Sequence, residues 1–501
     1  MSGDTMKQTT DKGFFMDEPL IFERSSVGKK GVEPCPSDVP NHDAASTIPK
    51  AFLRDAGDVL NGFPEVSELD VVRHYTRLSQ WNFGVDTGFY PLGSCTMKYN
   101  PKVNEDAARL SGFTGLHPYQ SEATCQGALE LMHDLEAYLC EISGMDAVTL
   151  QPSAGAHGEL CGLFMIAAYF KDKGAPRHKI IIPDTAHGTN PASSALAGFK
   201  VVPIKSGANG LLSPEAVKAV MDTDTAALML TNPNTIGLFE RDIKEIARIV
   251  HTKGGLIYCD GANMNAVMGL ARLSDMGVDC VQFNLHKTFS TPHGGGGPGS
   301  GPVGVVKKLE PFLPVPRIRK KGKRFTLVNE IDRPKSIGRM KAFYGNFSIM
   351  VRAYAYIRRL GAEGLRHAAT TAILNANYIR EALKADYQLA YDTPCMHEAV
   401  FSDKFQSGFG VSTMDIAKRL IDYGFHPPTV YFPLVVHGAI MIEPTETESL
   451  ETLDAFISAM RSIAAEAKTE PELLKNAPSN TRVSRVDETK AAREPVLRWR
   501  P

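Results

Sequence analysis

The sequence predicts an α/β fold class, with a mostly parallel sheet in a large domain and a smaller α+β domain towards the C-terminus. Between about residues 125 and 310, short β-branched runs alternate with amphipathic helical stretches, which is the order expected of strand–helix–strand units. After residue 345 a long helical stretch precedes several short strand-like pieces. The 501 residues, 43% of them hydrophobic, also exceed the roughly 250–300 residues that one core usually serves.

The elements of the large domain are predicted from apolar patterns. The stretch RDIKEIARIVHTKGG, which begins at Arg241, has apolar residues at helical spacing and ends in Gly-Gly, so it predicts a helix with a natural stop. The runs predicted as strands are KIIIP at 179, AALMLT at 226, LIYCD at 256, DCVQFNL at 279 and GPVGVV at 301.

The C-terminal part predicts a second domain. A long helical stretch begins at Phe347, the pieces QLAYDT, HEAVF and GAIMIEP are strand-like, and SLETLDAFISAMRSIAAEA predicts a further helix. We therefore expect an extended or partly disordered N-terminal arm at 1–48, an N-terminal segment at 49–124, a large cofactor-binding domain at 125–345, a small domain at 346–470 and a tail at 471–501.

Composition narrows the classes of function. Lys and Arg number 55 and Asp and Glu 56, so the chain as a whole shows no charge bias towards nucleic acid or membrane. The longest apolar stretch, at 160–170, is too short for a bilayer and predicts a buried helix. The N-terminus has no secretory pattern. The eight scattered cysteines have no metal-ligand spacing, so we expect no metal, and they are typical of a reducing cytoplasm.

Small residues open one of the predicted helices. In QPSAGAHGE at 151–159, a helix start would offer free N–H groups and the positive end of the helix dipole, which suits a phosphate group. Ser153 could add a hydroxyl, and Ala154 and Gly155 would let a ligand approach the backbone closely. The sequence therefore predicts a phosphate-binding cup at this point.

Two charged residues follow predicted strands. Asp260 ends the strand in YCDGAN, and Lys287 follows the next strand in NLHK, 27 residues later. Sites form at the carboxyl ends of parallel strands, so both side chains and the cup are expected to meet. Pyridoxal phosphate needs these three features, because a lysine forms a Schiff base with its aldehyde and an aspartate keeps its pyridine nitrogen protonated. His157 could stack on the ring, and Ala262 could lie against the other face.

Each of these residues also has a plainer interpretation. A lone lysine after a strand is usually a solvated charge, and a lone aspartate at a strand end usually caps a helix or turn. The glycine-rich stretch HGGGGPGSG after Lys287 resembles a phosphate loop but lacks the G-K-[ST] ending, and it predicts a tight turn beside the lysine. The three segments in this order favour the cofactor site.

Seven strings in the sequence are long or unusual. They are GFYPLGSCTMKYNPK at 88–102, HPYQSE at 117–122, QPSAGAHGE at 151–159, PDTAHGTNPAS at 183–193, YCDGANMNA at 258–266, FNLHKTFSTPHGGGGPGSGPVGV at 283–305 and IMIEPTETES at 440–449. In these strings the chain resembles a known family, the pyridoxal-phosphate-dependent P-proteins of the glycine cleavage system, or glycine dehydrogenase (decarboxylating). It resembles the lysine-bearing half of the two-subunit bacterial form from about residue 60 to the end.

The resemblance implies a fold-type-I pyridoxal-phosphate-dependent transferase and assigns roles by position. Lys287 would be the Schiff-base lysine, Asp260 the pyridinium partner and His157 the stacking residue. The phosphate site would include Ser153, Ala154 and Gly155, and His286 and Asn190 would lie near the cofactor. The family also implies a partner, subunit 1 of the P-protein, in an α2β2 assembly.

The reaction that the resemblance implies is the decarboxylation of glycine, with transfer of the aminomethyl group to the lipoyl-lysine of H-protein and release of carbon dioxide. Basic residues in 340–360 are candidates for the glycine carboxylate anchor. The residues alone leave other fold-type-I activities open, such as aminotransferase or cysteine desulfurase, and a cofactor-free scaffold is the alternative from another class.

Two further features have open interpretations. The run RIRKKGKR at 317–324 holds six basic residues and predicts a solvated loop, or a surface that steers an acidic carrier. Cys95 in LGSCTMK is either a packed residue or part of the site entrance, and packing is favoured because no base or metal spacing accompanies it.

Overall fold

A computed structural model describes residues 18–33, 35–53, 62–294, 299–481 and 483–499. The chain divides into two compact units. One is built from the described residues of Met1–Gly84 and Val486–Pro501, and the other is Val85–Arg485. The first unit has a helix at Glu68–Ser79, which begins in a capping box between Ser67 and Asp70. The larger unit contains both predicted sheets.

A seven-stranded sheet with the order β1-β7-β6-β5-β4-β2-β3 dominates the larger unit. The strands β2 to β6 run parallel to one another, while β7 is antiparallel to both β6 and β1. Its strands are β1 Ala147–Thr149, β2 Lys179–Pro183, β3 Lys200–Ile204, β4 Thr225–Thr231, β5 Leu256–Gly261, β6 Cys280–Phe283 and β7 Val303–Val305.

The α-helices of the described residues are numbered along the chain. They are α1 Ala44–Thr47, α2 Glu68–Ser79, α3 Lys102–Ala108, α4 Ser111–Thr114, α5 Gln126–Ser143, α6 Gly155–Asp172, α7 Thr189–Leu196, α8 Pro214–Val220, α9 Ile243–Thr252, α10 Leu285–Thr288, α11 Phe347–Leu383, α12 Lys404–Ser407, α13 Thr413–Asp422, α14 Leu450–Thr469, α15 Pro471–Lys475 and α16 Glu488–Arg493.

The central strands are buried on both faces, which explains why their sequences read as continuous apolar runs. On β4, Leu228 and Leu230 belong to the core on one face, where α5, α9 and α11 pack. Ala227 and Met229 belong to the core on the other face, where α6 packs. Because side chains alternate along a strand, one run supplies both cores, and the strand ends are left to carry the polar residues.

A four-stranded antiparallel sheet with the order β10-β11-β13-β12 lies in the C-terminal part. It packs against the second half of α11 and against α14. Gly361 interrupts α11 with φ 61° and ψ −173°, a conformation that is essentially restricted to glycine. The strands are β10 Gln388–Leu389, β11 Ala399–Ser402, β12 Thr429–Val430 and β13 Ala439–Ile442.

The predicted fold class is confirmed, and the predicted strands at 179, 226, 256, 279, 301, 388, 397 and 438 are present in the structure. The prediction of a solvated loop at 317–324 is wrong. This run forms a hairpin of β8 Arg317–Lys321 and β9 Arg324–Val328, with Gly322 in the turn at φ 59°. A two-residue turn with a glycine in the left-handed region is a hairpin signal. The predicted long helix is broken at Gly361.

The other sequence predictions of organisation stay predictions. Part of the N-terminal arm, 1–17, and part of the glycine-rich stretch, 295–298, lie outside the described residues. The proposed domain boundaries are not tested by the strand and helix bounds. Among the described residues, we find no helix whose length and apolar character would let it cross a bilayer.

Candidate active site

A cavity with a volume of about 160 Å³ lies at the carboxyl ends of β4, β5 and β6. Neighbouring residues at the ends of these three strands are Thr231, Asp260 and Gln282, which pair in register with one another. The cavity is lined by Ser94, Gly155, Ala156, Glu159, His187, Thr189, Thr231, Thr235, Asp260, Ala262, Asn263, Asn284, His286 and Lys287. The three segments singled out in the sequence therefore meet at one place.

Lys287 lies on α10, the single helical turn that follows β6. Its side chain lines the cavity, and its Nζ donates a hydrogen bond to the carbonyl oxygen of Ser94 at 2.7 Å. Ser94 is 193 positions away in the sequence, so sequence reasoning gave no signal for this contact. The amine is thus held at the cavity wall by a neutral acceptor.

Asp260 is a buried carboxylate, 4% exposed, with donors on both oxygens. Oδ1 accepts hydrogen bonds from the backbone N–H of Ala262 at 3.0 Å and from the side-chain amide of Gln282. Oδ2 accepts from Asn190 Nδ2 at 3.0 Å. Tyr258 donates its hydroxyl to Gln282 at 2.6 Å, which fixes the amide in turn. These donors hold the carboxylate group in one orientation.

The predicted cup lies at the start of α6. The helix begins at Gly155 after the extended residue Ala154, and its first N–H groups have no partners within the helix. A Cβ at Gly155 would collide with Asn284 Oδ1, so glycine lets the cup close against the end of β6. The hydroxyl of Ser153 lies 3.3 Å from His157 Nδ1, and the cavity lining does not include Ser153, Ala154 or His157.

The remaining predicted residues are distributed around the cavity. Ala262 and His286 line it. Asn190 is not part of the lining, but it donates a hydrogen bond to Asp260. Burial, helped by the nearby charge of Lys287, lowers the pKa of His286 to about 3, so this imidazole is neutral and accepts the N–H of Ser300 at 3.4 Å. The stacking role of His157 and the cofactor contacts of the whole set stay predictions.

Sequence reasoning missed a second carboxylate in the cavity. Glu159 is 3% exposed, and it accepts hydrogen bonds from Thr189 Oγ1 at 2.7 Å and from Ser193 Oγ at 3.1 Å. Burial, together with the charge of Asp260, raises the pKa of Glu159. It stands four positions after Gly155, so a charged residue just after the first turn of a mostly apolar helix was the available signal.

The candidate carboxylate anchors in 340–360 include one that is already paired. The guanidinium of Arg352 binds both oxygens of Glu105, at 2.8 and 2.7 Å. Such a bidentate pair is a strong structural contact, so Arg352 belongs to the packing between α3 and α11. Cys95 is half-buried. Burial raises the pKa of its thiol, so the protonated form expected of a packed cysteine is favoured.

The residues present fit pyridoxal phosphate. Thr231 Oγ1 and Asn284 Oδ1 are buried, and neither has a hydrogen-bond partner among the described residues. Both residues line the cavity, beside an amine, a fixed carboxylate and a helix N-terminus. Buried polar atoms without partners are rare in proteins, so two of them on residues that line one cavity suggest that a polar ligand belongs there.

The fold and this site define a class, the fold-type-I architecture of pyridoxal-phosphate-dependent enzymes. The sequence profile described as aminotransferase class-V matches residues 157–297. A crystal structure of glycine decarboxylase (P-protein) of the glycine cleavage system, in inhibitor-bound form, covers 85% of this chain and 100% of its own length, with a TM-score of 0.67 and 18% identity. A NifS-like protein covers 76% of this chain and 100% of its own length, with a TM-score of 0.58 and 16% identity.

Curated relatives are much closer in sequence. A probable glycine dehydrogenase (decarboxylating) subunit 2 from Caldanaerobacter subterraneus subsp. tengcongensis is 60% identical over 96% of this chain and 98% of its own length. One from Alkaliphilus oremlandii is 59% identical over the same shares. The profile described as glycine dehydrogenase, C-terminal domain, matches residues 368–481. The chain belongs to the glycine dehydrogenase (decarboxylating) subunit 2 family.

Proposed function

We propose that this chain is the pyridoxal-phosphate-binding subunit of a glycine cleavage P-protein. It decarboxylates glycine and transfers the aminomethyl group to the lipoyl-lysine of H-protein, with release of carbon dioxide. The observation that carries the proposal is the convergence of Lys287 and Asp260 on one cavity beside the N-terminus of α6. A cofactor-free scaffold has no use for an amine and a fixed carboxylate at this place.

Pyridoxal phosphate, when bound, supplies an electron sink for the carbanion that remains after loss of the carboxylate. Lys287 would hold its aldehyde, and Asp260 would hold its pyridine nitrogen. The free N–H groups at the start of α6, with Ser153, Ala154 and Gly155, would bind the phosphate. His157 and Ala262 would lie against the two faces of the ring, and His286 and Asn190 would border it.

The task of Asp260 depends on its surroundings. Gln282, Asn190 and the N–H of Ala262 occupy defined positions on the two oxygens, so the carboxylate cannot rotate away from the cavity. In a buried site its charge acts with little screening by water. The carboxylate therefore favours a proton on any basic nitrogen that it faces, which is the condition for withdrawing electrons from the substrate.

The partners follow from the same proposal. The relatives are named subunit 2, so we infer a subunit 1 partner, in an α2β2 assembly. The lipoyl-bearing carrier is H-protein, and glycine is the substrate. The eight free cysteines among the described residues accord with a reducing compartment, and we place the protein in the cytoplasm.

One assay tests the proposal. The chain, co-purified with its subunit 1 partner, is expected to exchange labelled bicarbonate into the carboxyl group of glycine, and the exchange should require lipoylated H-protein. Carrier without the lipoyl group is the matched control. Transamination or sulfur release without any carrier would favour an aminotransferase or a cysteine desulfurase. A colourless chain that takes up no pyridoxal phosphate would favour the scaffold.

The β8–β9 hairpin supports a more specific expectation about the carrier. Arg319, Lys320 and Lys321 are exposed on it, and no ion pair of theirs is found in the described part of the chain. If the hairpin steers an acidic carrier, replacing these three residues by glutamine should raise the KM for H-protein about 3- to 10-fold at low ionic strength, because steering acts on encounter.

The control for the hairpin is an equal loss of charge elsewhere. Lys171, Lys205 and Lys253 are also exposed, and their triple glutamine variant should leave the KM near the parental value. Added salt should remove the difference between the two triple variants, since screening weakens exposed charges. Equal KM values for both variants at low ionic strength would mean that the hairpin has no part in carrier recognition.

A further inference from the structure

A short turn passes over Lys287 and is held in an unusual conformation. Ser94 and Thr96 have φ values of 62° and 50°, in the left-handed region that is unfavourable for residues other than glycine. The turn presents the carbonyl of Ser94 to Lys287 Nζ at 2.7 Å. Two unfavourable residues in three positions need strong contacts elsewhere to hold them.

Two buried glutamates supply those contacts. Glu443 accepts the N–H of Thr96 at 3.1 Å and its hydroxyl at 2.6 Å, one on each carboxylate oxygen. Glu398 accepts the N–H of Ser94 at 2.9 Å. Asn265 Nδ2 also donates to Glu443, at 3.3 Å. Both glutamates are fully buried, so these hydrogen bonds are not exchanged with water.

The topology brings the two glutamates together. In the antiparallel pair of β11 and β13, Ala399 is opposite Ile442, so Glu398 and Glu443 occupy the next position of the same ladder. One oxygen of each and a ring nitrogen of His397 lie within 4.8 Å of one another. Two buried carboxyl groups this close together do not both ionise readily, because their negative charges would repel each other without screening by water.

The hydrogen bonds assign the single proton. Glu443 receives three donors, an arrangement that suits an ionised carboxylate. On Glu398, Oε1 has no hydrogen-bond partner among the described residues, and His397 Nε2 lies 3.7 Å from it. Burial and the charge of Glu443 raise the pKa of Glu398. The other titratable groups around the pair are His397, Cys95 and Lys287.

We propose that Glu443, ionised, and Glu398, protonated, are positioning residues that fix the Ser94–Thr96 turn, so that the Ser94 carbonyl holds the amine of Lys287 whenever that amine is not bonded to the cofactor. The inference rests on the proposed function of Lys287 and adds to it a defined resting place. A restrained amine recaptures the cofactor faster than one that must search for it, because the alignment is made in advance.

The test is the capture of pyridoxal phosphate by cofactor-free protein, followed by absorbance in stopped flow without glycine. Glu443→Gln should slow the limiting rate about tenfold, because the amide keeps one acceptor oxygen and so loses one of the two hydrogen bonds from Thr96, and tenfold corresponds to about 1.4 kcal/mol. Glu398→Gln should change it less than about threefold, since glutamine matches the protonated acid in shape and charge. Thr96→Val should resemble Glu443→Gln.

The pH profile of capture separates positioning from a merely structural role. Removing the buried negative charge at Glu443 should move the midpoint of the profile to lower pH, because that charge favours the ammonium form of a neighbouring amine. Glu398→Gln should leave the midpoint in place. A structural role alone would lower the melting temperature of each variant and leave both the midpoint and the limiting rate unchanged.

Several results would overturn the inference. Equal slowing by Glu398→Gln and Glu443→Gln would contradict the assignment of the proton, and parental rates in both would remove the positioning role. A stoichiometric metal ion that is present in the purified parental protein and absent from both variants would show that a metal, and not a single proton, lies between the two glutamates. Parental protein that captures no pyridoxal phosphate at Lys287 would instead refute the proposed function, and with it this inference.

Discussion

Lys287→Ala is expected to lose covalent retention of pyridoxal phosphate and to lower glycine decarboxylation by about 10³-fold or more, the size of effect seen when a nucleophile is removed. Cofactor that is bound only by the remaining non-covalent contacts should dissociate from the protein during gel filtration. Borohydride reduction of the parental protein, followed by peptide mapping, should place the label on the peptide that contains Lys287.

Two further variants make this experiment specific. Lys287→Arg keeps a positive charge at the cavity wall but cannot form the covalent bond, so it should lose the label as completely as Lys287→Ala. Lys307→Ala removes an exposed lysine from the same sheet region and should change neither labelling nor rate. A label on another lysine, or a fully active Lys287→Arg variant, would refute the assignment.

Asp260→Asn is expected to lower the rate of decarboxylation about 10²- to 10⁴-fold, with a smaller effect on the KM for glycine. The reason is chemical, since an amide cannot stabilise a protonated pyridine nitrogen as a carboxylate does. It is also geometric, because Asn190 and Gln282 both donate to Asp260, and the new NH2 group must face one of these donors. The measurement is the rate per cofactor-loaded site.

Asp279→Asn is a matched control for this second experiment. Asp279 is also buried, but it immediately precedes β6, at the end of the strand opposite the cavity, where it binds His251, Lys308 and the N–H of Ile257. Its replacement should lower stability and leave the rate per loaded site within about twofold, since it touches no part of the cavity. If Asp260→Asn and Asp279→Asn lower the rate per loaded site by the same factor, the role assigned to Asp260 is refuted.

The sequence predicted the fold, and the convergence of Asp260 and Lys287 on one cavity, from local patterns. Apolar runs such as those of β4 and β5 are continuous because both faces of the sheet are covered, and this signal is contained within a few residues. Asp260 and Lys287 were found because they stand directly at strand ends, where the topology of a parallel sheet determines that side chains converge.

Other features could not be predicted because they depend on distant contacts. The acceptor for Lys287 is Ser94, and the support of that turn comes from Glu398 and Glu443, more than 300 positions further along the chain. Gln282 was also missed, although a polar residue inside an apolar strand was visible in the sequence. The hairpin of β8 and β9 was missed because the run of basic residues was interpreted as a solvated loop, and the turn signal at Gly322 within it was overlooked.

The buried ammonium group of Lys98 limits how far the chain could be shortened without loss of structure. It bonds to Glu446 at 2.7 Å and to the carbonyl of Thr288, the neighbour of Lys287, at 3.1 Å. One buried cation thus connects segments from the beginning, the middle and the end of the larger unit, at Lys98, Thr288 and Glu446. An excised fragment limited to residues 157–297 would contain Lys287 and Thr288 but neither Lys98 nor Glu446, so we do not expect the fragment to work as a minimal catalyst.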